Sequence, residues 1–340
     1  MPNHHFMNCS SSKPGFLKQT IILFTVMVCC FGLPAQAQTD SSRPASKPVK
    51  LGLLDIPETV HKPRLIGVTT AGVLAYGGTL AALNQYWYAN YPRSSFHFYN
   101  DNGEWNQMDK AGHAYSAYLE GKVCMGLLRW AGVNEKTSIW VGGLSGTAYQ
   151  TIIEILDGFS AEWGFSMGDM AMNLVGSGIL ISQHLAWGEE RIQLKFSTHF
   201  NNYTDPELHT RAMSLYGTSV PERILKDYNA QTYWLSVNPW SFMKESRFPK
   251  WLNISVGYGA DGMFGGYTNT WTDKYGTPHD RSDIQRIRQF YLAPDIDLTK
   301  IKVKSKGLKL LFSTLNVIKF PLPALEINTA GKVRFHPIYF

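Results

Sequence analysis

Three apolar stretches each carry a polar pair at helical spacing, and any chemistry has to begin there. Asp109 and His113 are four residues apart, Glu154 and Asp157 three, Asp169 and Asn173 four. On helices each pair falls on one face, so three helices could aim polar groups into a common interior. Lys110 sits beside the first pair. Ionisable groups within apolar segments are costly and usually paired, which makes such a convergence a candidate site. Among carboxylates, His113 would hold its proton more tightly and suit general acid or base work. One histidine with several carboxylates also suits a divalent metal. The His-x-x-x-His and cysteine pairs that mark zinc are absent, so no metal or other cofactor is assigned.

Plainer roles exist for the same residues. Asn106 to Asp109 and Ser166 to Asp169 have capping-box spacing, so both Asp residues could be helix-start devices. His113 could be a satisfied core histidine bonded to Glu154 or Asp157. Asn173 could lock helix register, and Lys110 could neutralise an interior carboxylate. Other chemistries lack their motifs. There is no Gly-x-Ser-x-Gly elbow, and Gly142-Gly143-Leu144-Ser145-Gly146 suits close helix packing. Gly257-Tyr258-Gly259-Ala260-Asp261-Gly262 departs from the dinucleotide pattern. The signatures of membrane lipid phosphatases are also missing.

The elements that must position these residues follow from the pattern. Helices are expected from about Gln107 to Trp130 behind Asn106, from Lys136 to Phe159 behind Asn134, and from Met167 to Trp187 behind Ser166. Before them, Leu65 to Tyr91 has no charged side chain and is long enough to cross a bilayer. Arg64 and Arg93 flank it, and Tyr86, Trp87, Tyr88 and Tyr91 gather at one end like an interfacial belt. A buried central helix is the alternative. Past Glu189 the texture alternates: Arg191 to Phe200, Leu252 to Tyr258 and Gln289 to Leu298 read as half-buried strands. Ala324 to Phe340 reads as a hairpin turning at Thr329-Ala330-Gly331, and Gly307 to Lys319 as an amphipathic helix. The ending Val333 to Phe340 resembles the last strand of outer-membrane barrels, with too few strong strands for a separate barrel. The fold class expected is α+β: a bundle of about four apolar helices, then an antiparallel β-rich part.

Export is read from the first residues. Lys13 and Lys18 precede the apolar run Ile21 to Leu33, and Pro34-Ala35-Gln36-Ala37 offers a small-x-small exit. Cleavage is expected after Ala37; Val28 before Cys29 disfavours a lipoprotein site. The divisions are then 1–37 signal peptide, 38–62 flexible linker, 63–188 apolar helical domain and 189–340 β-rich region. Cys124 alone would remain, so no internal disulfide is expected. Charged residues make up 17% of the chain, below the roughly 25% of soluble domains. The net charge of +6 includes Lys13 and Lys18. A mild basic excess suits anionic lipid, and no nucleic-acid motif is present.

One resemblance joins these residues. Asp109-Lys110-Ala111-Gly112-His113, then Glu154-x-x-Asp157, then Ser166-x-x-Asp169-x-x-x-Asn173-x-x-Gly176 resembles the YfiM-like family of exported proteins, a domain of unknown function. It is more distantly similar to VanZ-like membrane proteins, and covers about residues 105 to 188. The rest looks like longer envelope versions found in Bacteroidetes-type bacteria. The resemblance implies envelope residence, at the outer membrane or a periplasmic membrane face, and no settled reaction. The function expected is therefore a membrane-associated envelope protein in a structural or lipid-contact role, with membrane lipid or envelope components as partners. The alternative is an envelope hydrolase or transferase on lipid or glycan, with His113 as general base. The sequence leaves enzyme status and oligomeric state open.

Overall fold

The computed structural model describes residues 51–85 and 92–340. The signal peptide, most of the linker and the aromatic belt lie outside the described residues. Helix α1 (Lys62–Leu83) opens on Pro63 and runs apolar thereafter. It is long and apolar enough to cross a membrane, and almost none of it is buried. It touches the other helices through Tyr76, which stacks on Tyr149, and Thr79, bonded to the Tyr149 hydroxyl.

Three further helices pack on one another: α2 (Met108–Trp130), α3 (Gly143–Gly158) and α4 (Met167–Trp187). Small residues set their separation. A Cβ at Gly146 would lie 2.2 Å from the Ala117 carbonyl oxygen, and one at Gly176 2.1 Å from that of Ala114. Only glycine permits so close an approach of backbones. Tyr118, Met125, Ile139, Leu180 and Ile181 fill the space between. Thr147 Oγ1 donates to the Asn173 carbonyl at 2.8 Å, tying α3 to α4.

Two expectations about helix starts need correction. Asn106 does not cap α2, because Trp105, Asn106 and Gln107 are all left-handed, with φ of 47°, 50° and 61°. The Asn106 carbonyl instead accepts from the Tyr258 hydroxyl and from Arg288. That frees the Asp109 side chain from any box. Ser166 does cap α4, its Oγ accepting from the Asp169 N–H at 3.1 Å, but the reciprocal half is missing. The Ser166 N–H goes to Glu154 Oε2 at 3.0 Å instead.

The C-terminal part is a six-stranded antiparallel sheet in the order β1-β2-β3-β6-β7-β8. Its strands are β1 (Ile192–Thr198), β2 (Gln231–Val237), β3 (Leu252–Asp261), β6 (Ile287–Ile296), β7 (Leu322–Asn328) and β8 (Val333–Tyr339). A hairpin of β4 (Thr270–Thr272) and β5 (Pro278–Asp280) hangs between β3 and β6. Helices α5 (Pro206–Tyr216) and α6 (Val220–Lys226) link β1 to β2, and α7 (Lys306–Leu315) precedes β7. Strand β2 was not foreseen.

The alternation of the strands holds, but their faces are reversed. Gln193, Lys195 and Ser197 of β1 are buried, as are Ser236, Asn253, Ser255, Asp295, Glu326 and Asn328. The interior is closed by paired groups: Lys195 Nζ lies 2.8 Å from Asp295 Oδ2 with both side chains fully buried. Trp234 donates to Ser197, and Tyr339 of β8 reaches Thr232 of β2, so the sheet curls on itself. The outward side chains are apolar. Tyr115 of α2 stacks on Phe196 and packs on Tyr233, covering β1 and β2. Beyond them Val256, Leu292, Ile327 and Phe335 stand 53–68% exposed.

Candidate functional site

The three expected polar pairs do meet. Asp109 and His113 face inward from one side of α2, Glu154 from α3, Asp169 and Asn173 from α4. His113 Nδ1 is 3.1 Å from Asn173 Oδ1. Its Nε2 lies 3.8 Å from Asp109 Oδ1, 3.7 Å from Glu154 Oε1 and 3.6 Å from Asp169 Oδ1. The expected hydrogen bond from His113 to Glu154 or Asp157 is therefore replaced by one to Asn173. Asp157 lines the same cleft.

Lys110 is the cluster's internal cation. Its ammonium is 2.6 Å from Asp101 Oδ1, 2.8 Å from Asp169 Oδ1 and 3.4 Å from Asp109 Oδ2. The approach to Asp169 is close but outside hydrogen-bonding angles, and Asp169 Oδ1 accepts no hydrogen bond. Ser166 joins the network, donating from Oγ to Asp101 at 2.6 Å.

Burial and like charge raise the carboxyls. Burial pushes Glu154 up to about 8, with Asp169 and Asp157 adding to it against the His113 charge and the Ser166 amide. Burial and then Asp109 raise Asp169 to about 7, against His113 and Lys110. For His113 burial acts downward, but Asp109, Asp169 and Glu154 together lift it above its usual value. Lys110 is raised likewise: burial is outweighed by Asp109, Asp101 and Asp169. Burial lifts Asp101 too, yet Lys110 and Ser166 carry it below the ordinary range. The site therefore holds more acidic groups than its two basic residues can neutralise, and the most buried of them keep their protons more tightly than free carboxyls do.

The cluster is open. It lies along a cleft of about 590 Å³ whose walls include Tyr99, Glu104, Trp105, Glu162 and Trp163 from the helical side and Tyr216 and Tyr228 from the C-terminal part. Tyr228 donates to Asp109 Oδ1 at 2.9 Å, so the second half of the chain completes the site. Asp101, Glu104 and Tyr228 were missed from the sequence. The first two sit in a turn with no helical period, and Tyr228 is 119 residues from its partner. Glu120 was missed as well; one face of α2 carries it to Gln150, which donates at 2.9 Å, and burial pushes it up to about 8 against that bond and the His113 charge.

Comparison with known proteins bears on this same segment. Residues 97–183 match a family model described as "Predicted periplasmic lipoprotein (DUF2279)". The match spans about a quarter of the chain and contains every helical residue of the cluster, but not Tyr228 or any other residue of the C-terminal part. Its description agrees with the export and envelope residence expected from the leader. No curated protein and no solved structure gives a match.

Proposed function

We propose that this chain is a membrane-associated envelope protein in a lipid-contact role, with the outer face of its sheet against acyl chains. The observation that carries this is the reversal of the sheet: polar groups closed inside, large apolar groups outside. In water that arrangement exposes a patch no soluble domain needs; in lipid it is the stable one. Ile254, Val256, Phe290, Leu292, Leu325, Ile327 and Phe335 form the face. The four seven-residue strands are short beside the roughly 9–11 residues of a transmembrane strand, which favours contact with a bilayer over a free-standing barrel.

Two further features support it. Helix α1 is an exposed apolar segment of spanning length. Helix α7 exposes Leu308, Leu310, Leu311 and Leu315 beside Lys302, Lys304, Lys306 and Lys309, the make-up of an interfacial helix on anionic lipid. Lys306 pairs with Asp55 just before α1, which brings the two membrane-suited helices together at one end. The YfiM-like and VanZ-like likeness fits the same setting.

Spin labels supply the test. With Cys9, Cys29, Cys30 and Cys124 all replaced by Ala, nitroxides at Val256→Cys and Leu292→Cys are read in the full chain reconstituted in anionic vesicles. Lipid contact gives high accessibility to oxygen and low accessibility to a polar nickel reagent. Equal access to the nickel reagent at both positions and at an exposed control, Glu162→Cys, would sink the proposal.

A further inference from the structure

We propose that His113, Asp109, Glu154 and Asp169 bind one first-row divalent metal ion at the floor of the cleft. This stands independently of lipid contact, since it concerns the helical unit and a different surface.

Geometry gives the first argument. Asp109, His113 and Asp169 each offer a donor atom within 4.8 Å of the others. His113 Nε2 faces three carboxylate oxygens at 3.6–3.8 Å, too far for hydrogen bonds. Donors bound at ~2.0–2.2 Å around a tetrahedral ion stand about 3.3–3.6 Å apart, so the distances from His113 already come close to that spacing, and drawing the carboxylates together seats an ion. The second argument is what these atoms lack. Glu154 is 2% exposed and Asp169 3%. Glu154 Oε2 is used by the Ser166 amide, while its Oε1 faces His113 Nε2 at 3.7 Å. Asp169 Oδ1 accepts no hydrogen bond, although the Lys110 ammonium stands 2.8 Å from it. In the neutral form that gives its Nδ1 proton to the Asn173 oxygen, His113 turns the Nε2 lone pair toward these oxygens. Those lone pairs repel unless a proton on Nε2 or a metal ion lies between them, and a bound ion takes the place of that proton. Asn173 is thus a positioning residue.

Charge gives the third argument. Asp101, Asp109 and Asp169 surround Lys110, and Glu154 faces His113. Lys110 retains Asp101 at 2.6 Å, so its contact with Asp169 can be shared with an ion without leaving the ammonium bare. One imidazole with three carboxylates suits Mn²⁺ or Zn²⁺ better than the all-oxygen preference of Mg²⁺ or Ca²⁺.

The experiment uses the full chain in detergent, stripped with chelator and titrated with Mn²⁺. Free Mn²⁺ is followed by its electron paramagnetic resonance signal, and bound Mn²⁺ by spin-echo modulation from imidazole nitrogen. One saturable site per chain is expected, with nitrogen modulation that disappears in His113→Gln. Asp169→Asn should weaken binding by more than the roughly 10–100-fold typical of outer partners, and Asn173→Ala by about that range. Glu162→Gln, on the cleft wall, should leave affinity unchanged. Because His113→Gln changes a mostly buried side chain, circular dichroism and melting accompany each titration, and the nitrogen signal of the wild type decides alone. Absence of saturable binding, bound Mn²⁺ without nitrogen modulation, or unchanged affinity in a folded Asp169→Asn chain would each overturn the proposal.

Discussion

The helical unit and the sheet both keep polar groups inside, yet they do so in opposite ways. Within the sheet the buried charges have partners: Lys195 with Asp295, Glu326 with His336 at 2.8 Å and with Asn328 at 2.7 Å, and Lys319 with the Phe320 carbonyl and the Trp234 ring. That interior is closed. The helical cluster has more acids than bases, a buried Asp169 oxygen that accepts no hydrogen bond, and a cleft in front of it. A polar interior alone does not mark a functional site. Unbalanced charge that opens to a cavity does, because only such charge gains by meeting a ligand.

The sharpest way to break this comparison is to unbalance the closed interior. Lys195→Met leaves Asp295 charged and fully buried, and should cost about 3–5 kcal/mol in denaturant unfolding from detergent. A cost under about 1 kcal/mol would show that the sheet interior is not closed. Helix packing comes next. Gly146→Ala forces a methyl against the Ala117 backbone and should cost about 1–3 kcal/mol. Gly178→Ala on α4 meets nothing within 4 Å and should stabilise by up to about 1 kcal/mol. Equal melting of the two variants would contradict glycine-set spacing.

Glu120 sharpens the contrast through pH. Its folded value, about 8, lies above that of an unfolded glutamate, so the folded chain holds a proton the unfolded chain releases. Its favourable contribution is present at acid pH and is lost as pH rises through the window from about 4.3 to 8. The melting point of wild type relative to Glu120→Gln should therefore fall between pH 5 and 8; a constant difference would refute the raised value. The smallest effect is expected inside the sheet. Ser255 is fully buried with no partner for its Oγ. Ser255→Ala should be neutral or stabilise by up to about 1 kcal/mol, and a clear loss of stability would reveal a missed partner.

Much of this was legible beforehand, for reasons tied to particular residues. Ser166 and the apolar run behind it placed α4 at Met167–Trp187, as observed. The pairs Asp109/His113 and Asp169/Asn173 shared faces because helical period is local. Alternation likewise located β1, β3, β6 and the β7–β8 hairpin. Periodicity could not say which face is inside. In β1 the alternation separates Ile192, Leu194 and Phe196 from Gln193, Lys195 and Ser197, and it is the second, polar set that is buried.

By itself, the sequence determined the order of elements, the spacing of the polar pairs and the charge-free run from Leu65 to Tyr91, since each depends on neighbours along the chain. Tertiary structure alone decided three things. It turned Asn106 from a helix cap into an acceptor for Tyr258 and Arg288, brought Asp101 and Tyr228 to the cluster, and closed polar groups inside the sheet. Each depends on contacts between residues far apart in the chain or between strands, where packing and desolvation outweigh local preference.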